Sequence, residues 1–159
     1  MVQLIMTILF AIPAQAPVAP VQVDPIIERI AEVNPKLRKD EAYRTLVAQS
    51  IRASAIKHKV KAEKLFAILA QESKFRVGAI NKKSHDYGIG QINHRTIEAF
   101  GFDQQRLLTD VAYSVEASAT VLADFKKRHG KREANFWSRY NSGTPSKRQA
   151  YEILVAQYM

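Results

Sequence analysis

The chain has 159 residues, 47% of them apolar and 25% charged, with no cysteine and a formal net charge of +9. These values suit one globular domain around a single core, and they exclude a disulfide framework, a thiolate metal site and wholesale disorder. The basic balance favours anionic partners, whether nucleic acid, acidic membrane surfaces or a carboxylate-rich bacterial cell wall, without choosing among them.

Residues 1–16, "MVQLIMTILFAIPAQA", carry no charged side chain. An apolar run from Leu4 to Ile12 precedes Ala14-Gln15-Ala16, the small-x-small shape of a signal peptidase site, so the segment reads as an export signal. No Lys or Arg precedes the run. An uncleaved tether and a hydrophobic terminus are the alternatives, and the run is far short of the ~20 residues of a stable membrane span. Residues 17–25, "PVAPVQVDP", read as an extended Pro-rich linker. Residues 26–159 are expected to form one domain.

The rest is helical in pattern. Tyr43, Val47, Ile51 and Ala55 recur every four positions with Leu46 beside them. Val111, Val115, Leu122 and Phe125 repeat the pattern, and that segment stops at Gly130 after the basic turn Lys126 to Arg128. Behind Pro145, a good helix starter, Tyr151, Ile153, Leu154 and Tyr158 follow at helical spacing. No alternating run is long enough to build a sheet. A small turn or hairpin around residues 80–93, within "KKSHDYGIGQIN", is the one exception to an all-α expectation.

Within "VKAEKLFAILAQES", Leu65, Ile68, Leu69 and Glu72 stand at i, i+3, i+4 and i+7 of a helix from Ala62 to Ser73. A carboxylate at the C-terminal end of an apolar stripe loses hydration and meets the negative end of the helix dipole. Both effects raise its pKa, as a general acid requires. The structural alternative is a Glu paired with Lys74 or Arg76. "DYGIGQIN" then sets Gly88 and Gly90 around Ile89 and supplies the amides of Gln91 and Asn93. "SRYNSGTP", Ser138 to Pro145, is a Gly- and Pro-containing loop opened by Tyr140-Asn141. Each of the last two is, alone, ordinary turn chemistry.

Taken in order, "LAQES…GIGQIN…YNSG" resembles the lytic transglycosylases of the soluble-transglycosylase (SLT) type, in the α-rich lysozyme-like superfamily, from Lys61 to the C-terminus. "GIGQIN" is similar to the family's Gly-Leu-Met-Gln element, "RYNSG" to Ala-Tyr-Asn-x-Gly, and Tyr151 to a groove-lining tyrosine of its closing helix. The resemblance implies that Glu72 is the acid–base residue protonating the glycosidic oxygen between N-acetylmuramic acid and N-acetylglucosamine. It implies that Ser73 orients groups near the cleavage point and that Gln91 binds sugar or orders Glu72. By the same token Tyr140 would hydrogen-bond Glu72, Asn141 would contact the muramic acetamido group, and Tyr151 would line the groove. The muramic acid 6-hydroxyl, rather than water, would capture the cationic carbon and give a 1,6-anhydro end, so one carboxyl suffices.

Two positions depart from the family pattern. Gly90 replaces the usual Met and is expected to loosen that wall, and Arg139 replaces an Ala and would add charge near the groove. "SHDYGIGQIN" is also similar to a string of animal-type lysozymes whose Asp is the second catalytic carboxylate, and Asp-Tyr-Gly occurs in transglycosylases of secretion and conjugation machines and of phages. Asp86 therefore holds the turn, steadies the cation or assists water attack. His85 and His94 lack metal spacing and are expected on the surface or hydrogen-bonded. Phe136 and Trp137 read as helix-packing core in preference to a sugar platform.

The resemblance implies a monomer with no cofactor or metal, acting on peptidoglycan glycan strands in the periplasm or cell envelope, or carried on a virion. A secretion, conjugation or phage assembly would be its protein partner, and no nucleic acid is expected. The competing functions are a hydrolytic muramidase using Glu72 and Asp86, a non-catalytic glycan-binding module, and a nucleic-acid binder supported by charge alone.

Overall fold

The computed structural model describes residues 24–159, so the export-signal reading of residues 1–16 and most of the linker lie outside the described residues. Pro25, expected in the linker, already belongs to the first helix, α1 (Pro25–Val33), and Asp24 caps it. The Asp24 carboxylate accepts from the Ile26 N–H at 2.9 Å and Pro25 occupies the first turn, where its missing N–H is not needed. The same carboxylate is gripped by Arg52, which fastens α1 to α2 (Glu41–His58).

The core helix is α3 (Ala62–Ser73). Leu65 to Ala70 are six consecutive fully buried residues, so this is a helix enclosed on all sides rather than an amphipathic one with a single stripe. On one side it packs with Ile30, Val47, Ile51, Phe75 and Val115. On the other, Ala67 and Ile68 meet Leu122, Trp137, Tyr151 and Val155. Trp137 is thus core, as expected, with the Lys64 ammonium 3.7 Å from its ring centroid.

Three two-residue strands, β1 (Ile80–Asn81), β2 (Asp86–Tyr87) and β3 (Ile92–Asn93), form a small antiparallel sheet in that order. The register pairs Asn81 with Asp86 and Asp86 with Asn93, so these three side chains form one row across the sheet. Two short helices follow, α4 (His94–Phe100) and α5 (Gln104–Thr109), and then the long α6 (Val111–His129), which packs along α2. A 3₁₀ turn, Phe136–Tyr140, leads into α7 (Pro145–Ala156).

The all-α reading with a small turn segment is borne out. The reading of α7 needs one correction. Tyr151 and Val155, one turn apart, form its buried seam, whereas Ile153 is 71% and Leu154 46% exposed. Position 153 lies two residues from each seam residue, about 200° around the helix, and so faces the other way. No helix among the described residues is long and apolar enough to cross a membrane.

Candidate active site

Glu72 sits in the last turn of α3, where the helix leaves the core. The helix stops there because Lys74 and Phe75 both take left-handed backbone, φ 52° and 62°. Two such non-glycine residues in succession are unfavourable by about 1–3 kcal/mol each and persist only under strong constraint. The constraints are visible. Asn34 Nδ2 donates to the Lys74 carbonyl at 2.9 Å, and Tyr43 donates to the Phe75 carbonyl at 2.7 Å and accepts from the Val77 N–H. The Phe75 ring packs 5.0 Å from that of Phe66. Ser73 Oγ donates to the Ile89 carbonyl at 2.7 Å and accepts from the Arg76 N–H, tying the end of α3 to the Gly88–Gly90 turn. Ser73 is therefore buried scaffolding and does not line the cleft.

The carboxyl of Glu72 faces a cleft of about 610 Å³ lined by the β-sheet row, α6 and the loop after Tyr140. No cation among the described residues pairs with it. Lys74 is exposed, and Arg76 Nε donates to the Ser73 carbonyl, so the ion-pair alternative fails. Its one side-chain hydrogen bond among the described residues comes from the hydroxyl of Tyr151, 2.6 Å from Oε1. Burial pushes the carboxyl up to about 7; the Tyr151 bond pulls the other way, and the negative charge of Asp86 adds to the rise.

The expectation that Tyr140 would bond Glu72 is corrected, because the Tyr140 hydroxyl donates to the Gly90 carbonyl at 3.0 Å. Gly90 explains why. A Cβ there would stand 2.0 Å from Ser118 Oγ and 2.6 Å from the Tyr140 hydroxyl. The space left by the absent side chain is filled by those two groups, so Gly90 does not loosen the wall but lets it close. Gly88, at φ 78°, is under similar pressure from the Leu107 carbonyl and Ser114 Oγ. Ser114 accepts from the Ile89 N–H and Ser118 donates to the Ser114 carbonyl, giving a buried hydroxyl seam beneath the cleft floor.

Gln91, itself left-handed at φ 48°, lines the cleft, but its Nε2 donates to the carbonyls of Ala79 and Gly88 and orders the turn, not Glu72. Asp86 lines the same cleft and accepts from Ser84 Oγ and, at 2.8 Å, from Asn93 Nδ2. Asn141 also lines it. Arg139 does not: it pairs with Glu133, which Arg148 also holds at 2.8 Å, and the two arginines pull the Glu133 carboxyl down to about 2. This cluster braces the Tyr140 loop against α7 and adds no free charge to the groove. His85 is exposed and His94 pairs with Glu98, as expected for surface histidines.

Phe125, which its spacing puts on the helical stripe, also lines the cleft, as do Asn81, Thr96, Gln71 and Lys147, which no motif marks. The i, i+4 spacing of Ser114 and Ser118 was a readable signal for the seam, since small residues on a helix admit close backbone approach.

The model of the transglycosylase SLT domain matches residues 49–153, the stretch that carries Glu72, the Gly88–Gln91 turn, Tyr140 and Tyr151. The chain belongs to the transglycosylase SLT family. Invasion protein IagB of Salmonella typhimurium is 35% identical over 98 residues, covering 56% of this chain and 59% of IagB. Protein IpgF of Shigella sonnei is 30% identical over 107 residues, covering 64% of this chain and 70% of IpgF. The chain thus spans about three-fifths of the length of IagB. Of the two departures noted above, Gly90 is absorbed by packing in the cleft wall and Arg139 by pairing away from the cleft.

Proposed function

We propose that this SLT-family chain is a peptidoglycan lytic transglycosylase that cuts the β-1,4 bond between N-acetylmuramic acid and N-acetylglucosamine. The observation that carries the proposal is the Glu72 carboxyl set in a cleft and held by the uncharged Tyr151 hydroxyl with no cation paired to it, where burial pushes its pKa up to about 7. In the first step Glu72 gives that proton to the glycosidic oxygen as the bond from the muramic C1 breaks. The N-acetylglucosamine leaves as an alcohol and an oxocarbenium-like carbon remains. Glu72, now a carboxylate, accepts the proton of the muramic 6-hydroxyl while O6 bonds to C1 and closes the 1,6-anhydro ring. One residue is acid and then base. Tyr151 holds Glu72 in place, Asp86 steadies the cation electrostatically, and Gln91, Tyr140 and Asn141 shape the sugar-binding wall.

A specific observation favours a second reading, hydrolysis. Asp86 shares the cleft with Glu72 and is kept as an acceptor by Ser84 and Asn93. Digestion of purified sacculi followed by mass spectrometry separates the two. Anhydro ends, lighter by one water, support transglycosylation, and reducing ends support Asp86-assisted water attack. A Glu72→Gln chain that released muropeptides as well as wild type would remove Glu72 from the mechanism, and a wild type that bound sacculi but released none would leave only a glycan-binding module.

We place the enzyme in the periplasm or cell envelope, with residues 1–16 as its export signal and the +9 net charge favouring residence on anionic wall polymer. IagB is by its name an invasion protein, which supports a setting in which the wall is opened locally for a secretion apparatus.

A further inference from the structure

The end of α3 far from Glu72 borders a cavity of about 300 Å³ that shares no lining residue with the cleft. From Lys61, at its rim, to Glu72 is about 16 Å of helix rise. Lys61, Lys64 and Lys126 line this cavity with Phe136 and Trp137, and no carboxylate does. None of the three lysines has an ion-pair partner among the described residues. The Lys64 ammonium stands 3.7 Å from the Trp137 ring centroid, and Lys126 Nζ donates to the Lys59 carbonyl. Only Lys126 has a local reason for its charge, since it lies in the last turn of α6, where the helix dipole favours cations. Lys61 and Lys64 stand at the N-cap and in the first turn of α3, the end where the dipole disfavours them, and no side chain caps that end. Glu63, the acid of that turn, is exposed and does not line the cavity. Burial, and then the charge of Lys61, hold the Lys64 ammonium below the usual lysine range.

Three cations gathered without an acid, two of them against a helix dipole, leave a positive potential that an anion relieves. The form of the cavity narrows the choice of anion. Trp137 is only 6% exposed and Phe136 is partly buried, so the rings wall a hollow and do not project as a membrane anchor does. A hollow of this size admits one apolar side chain, and lysines at its rim meet charges carried on either side of it along an extended segment. We propose that this cavity is a docking site for an acidic segment of a partner protein. An aromatic or leucine side chain of the segment enters against Phe136 and Trp137, while flanking carboxylates meet Lys61, Lys64 and Lys126. The proposal does not depend on the cleavage reading. It assigns a second face, at the opposite end of α3 from the acid, by which the chain is held while the cleft stays open to its substrate.

The test uses the full chain and a synthetic peptide with blocked ends, Glu-Glu-Phe-Glu-Glu, beside its Gln-Gln-Phe-Gln-Gln counterpart. Trp137 is the one tryptophan of the chain, so its emission reports occupancy of this cavity, and the anisotropy of labelled peptide gives Kd. The acidic peptide is expected to bind saturably, to shift the Trp137 emission, and to bind about tenfold or more tighter than the glutamine peptide. Lys61→Glu combined with Lys126→Glu should weaken binding about ten- to a hundredfold. Lys36→Glu combined with Lys39→Glu, at exposed positions outside the cavity, lowers the net charge equally and should change Kd less than about twofold. Circular dichroism melts check folding. Should the first pair fail to fold, Lys61→Glu alone, at an exposed position, should still weaken binding about threefold or more. Equal affinity for the two peptides, equal loss in both double variants, or binding that leaves the Trp137 emission unchanged overturns the proposal. Vesicles of phosphatidylglycerol that shift the emission in a Lys61-dependent way, while the peptide does not bind, assign the cavity to a lipid headgroup and overturn it too.

Discussion

The hydroxyl of Tyr151 donates a 2.6 Å hydrogen bond to Oε1 of Glu72, joining side chains 79 residues apart. This bond makes α7 the back wall of a site whose acid is presented by α3. It also opposes burial, since a donor to a carboxylate favours the ionised form while desolvation favours the neutral one. Replacing Tyr151 by Phe keeps the ring in the core and removes only the donor. Activity should fall about ten- to a hundredfold through loss of positioning. The alkaline limb of the pH–rate profile should shift upward, because Glu72 will then hold its proton more tightly. An unmoved limb would mean that the bond does not act on Glu72, and a downward one that it favours the protonated form.

Wild-type kcat should decline as pH rises through about 7, because the first step needs protonated Glu72. Asp86 contributes to the rise in the Glu72 pKa through its negative charge. Asp86→Asn should therefore move the alkaline limb to lower pH, whichever product forms. The same variant, assayed by mass spectrometry on sacculi, reports whether any reducing ends depend on that carboxylate.

Glu72 also links stability to pH. The folded chain binds its proton more tightly than the unfolded chain, whose carboxyl titrates near 4.5. Between about pH 4.5 and about pH 7 stability should therefore fall as pH rises, and above that range the full penalty is present. Glu72→Gln removes the penalty, so it should stabilise the protein by ~1–3 kcal/mol at pH 8, a rise of several degrees in Tm, and by far less at pH 4.5. Thermal melts at the two pH values measure the difference.

Gly90→Ala should destabilise the fold by ~1–3 kcal/mol, because the new methyl meets Ser118 Oγ and the Tyr140 hydroxyl at distances that no side chain tolerates. Adding Ser118→Ala removes the nearer obstruction. The double variant should recover part of the loss, and the non-additivity read from a double-mutant cycle of denaturation curves would place Gly90 and Ser118 in direct contact.

Much of this molecule was legible in its residues. The bounds of α3, Ala62 to Ser73, and the apolar spacing of α2 and α6 are features of neighbouring residues and could be read from them. The sequence by itself also marked Glu72 as out of place among apolar neighbours and set it beside the turn and loop that complete the cleft. It could not say which tyrosine reaches Glu72 or whether Gly90 opens or closes a wall. Those outcomes depend on how α6 and α7 pack against α3, and a period of 3.6 residues gives the face of a helix but not the distance of its neighbour. Close contacts of 2–3 Å between segments tens of residues apart are decided only when the whole core is assembled.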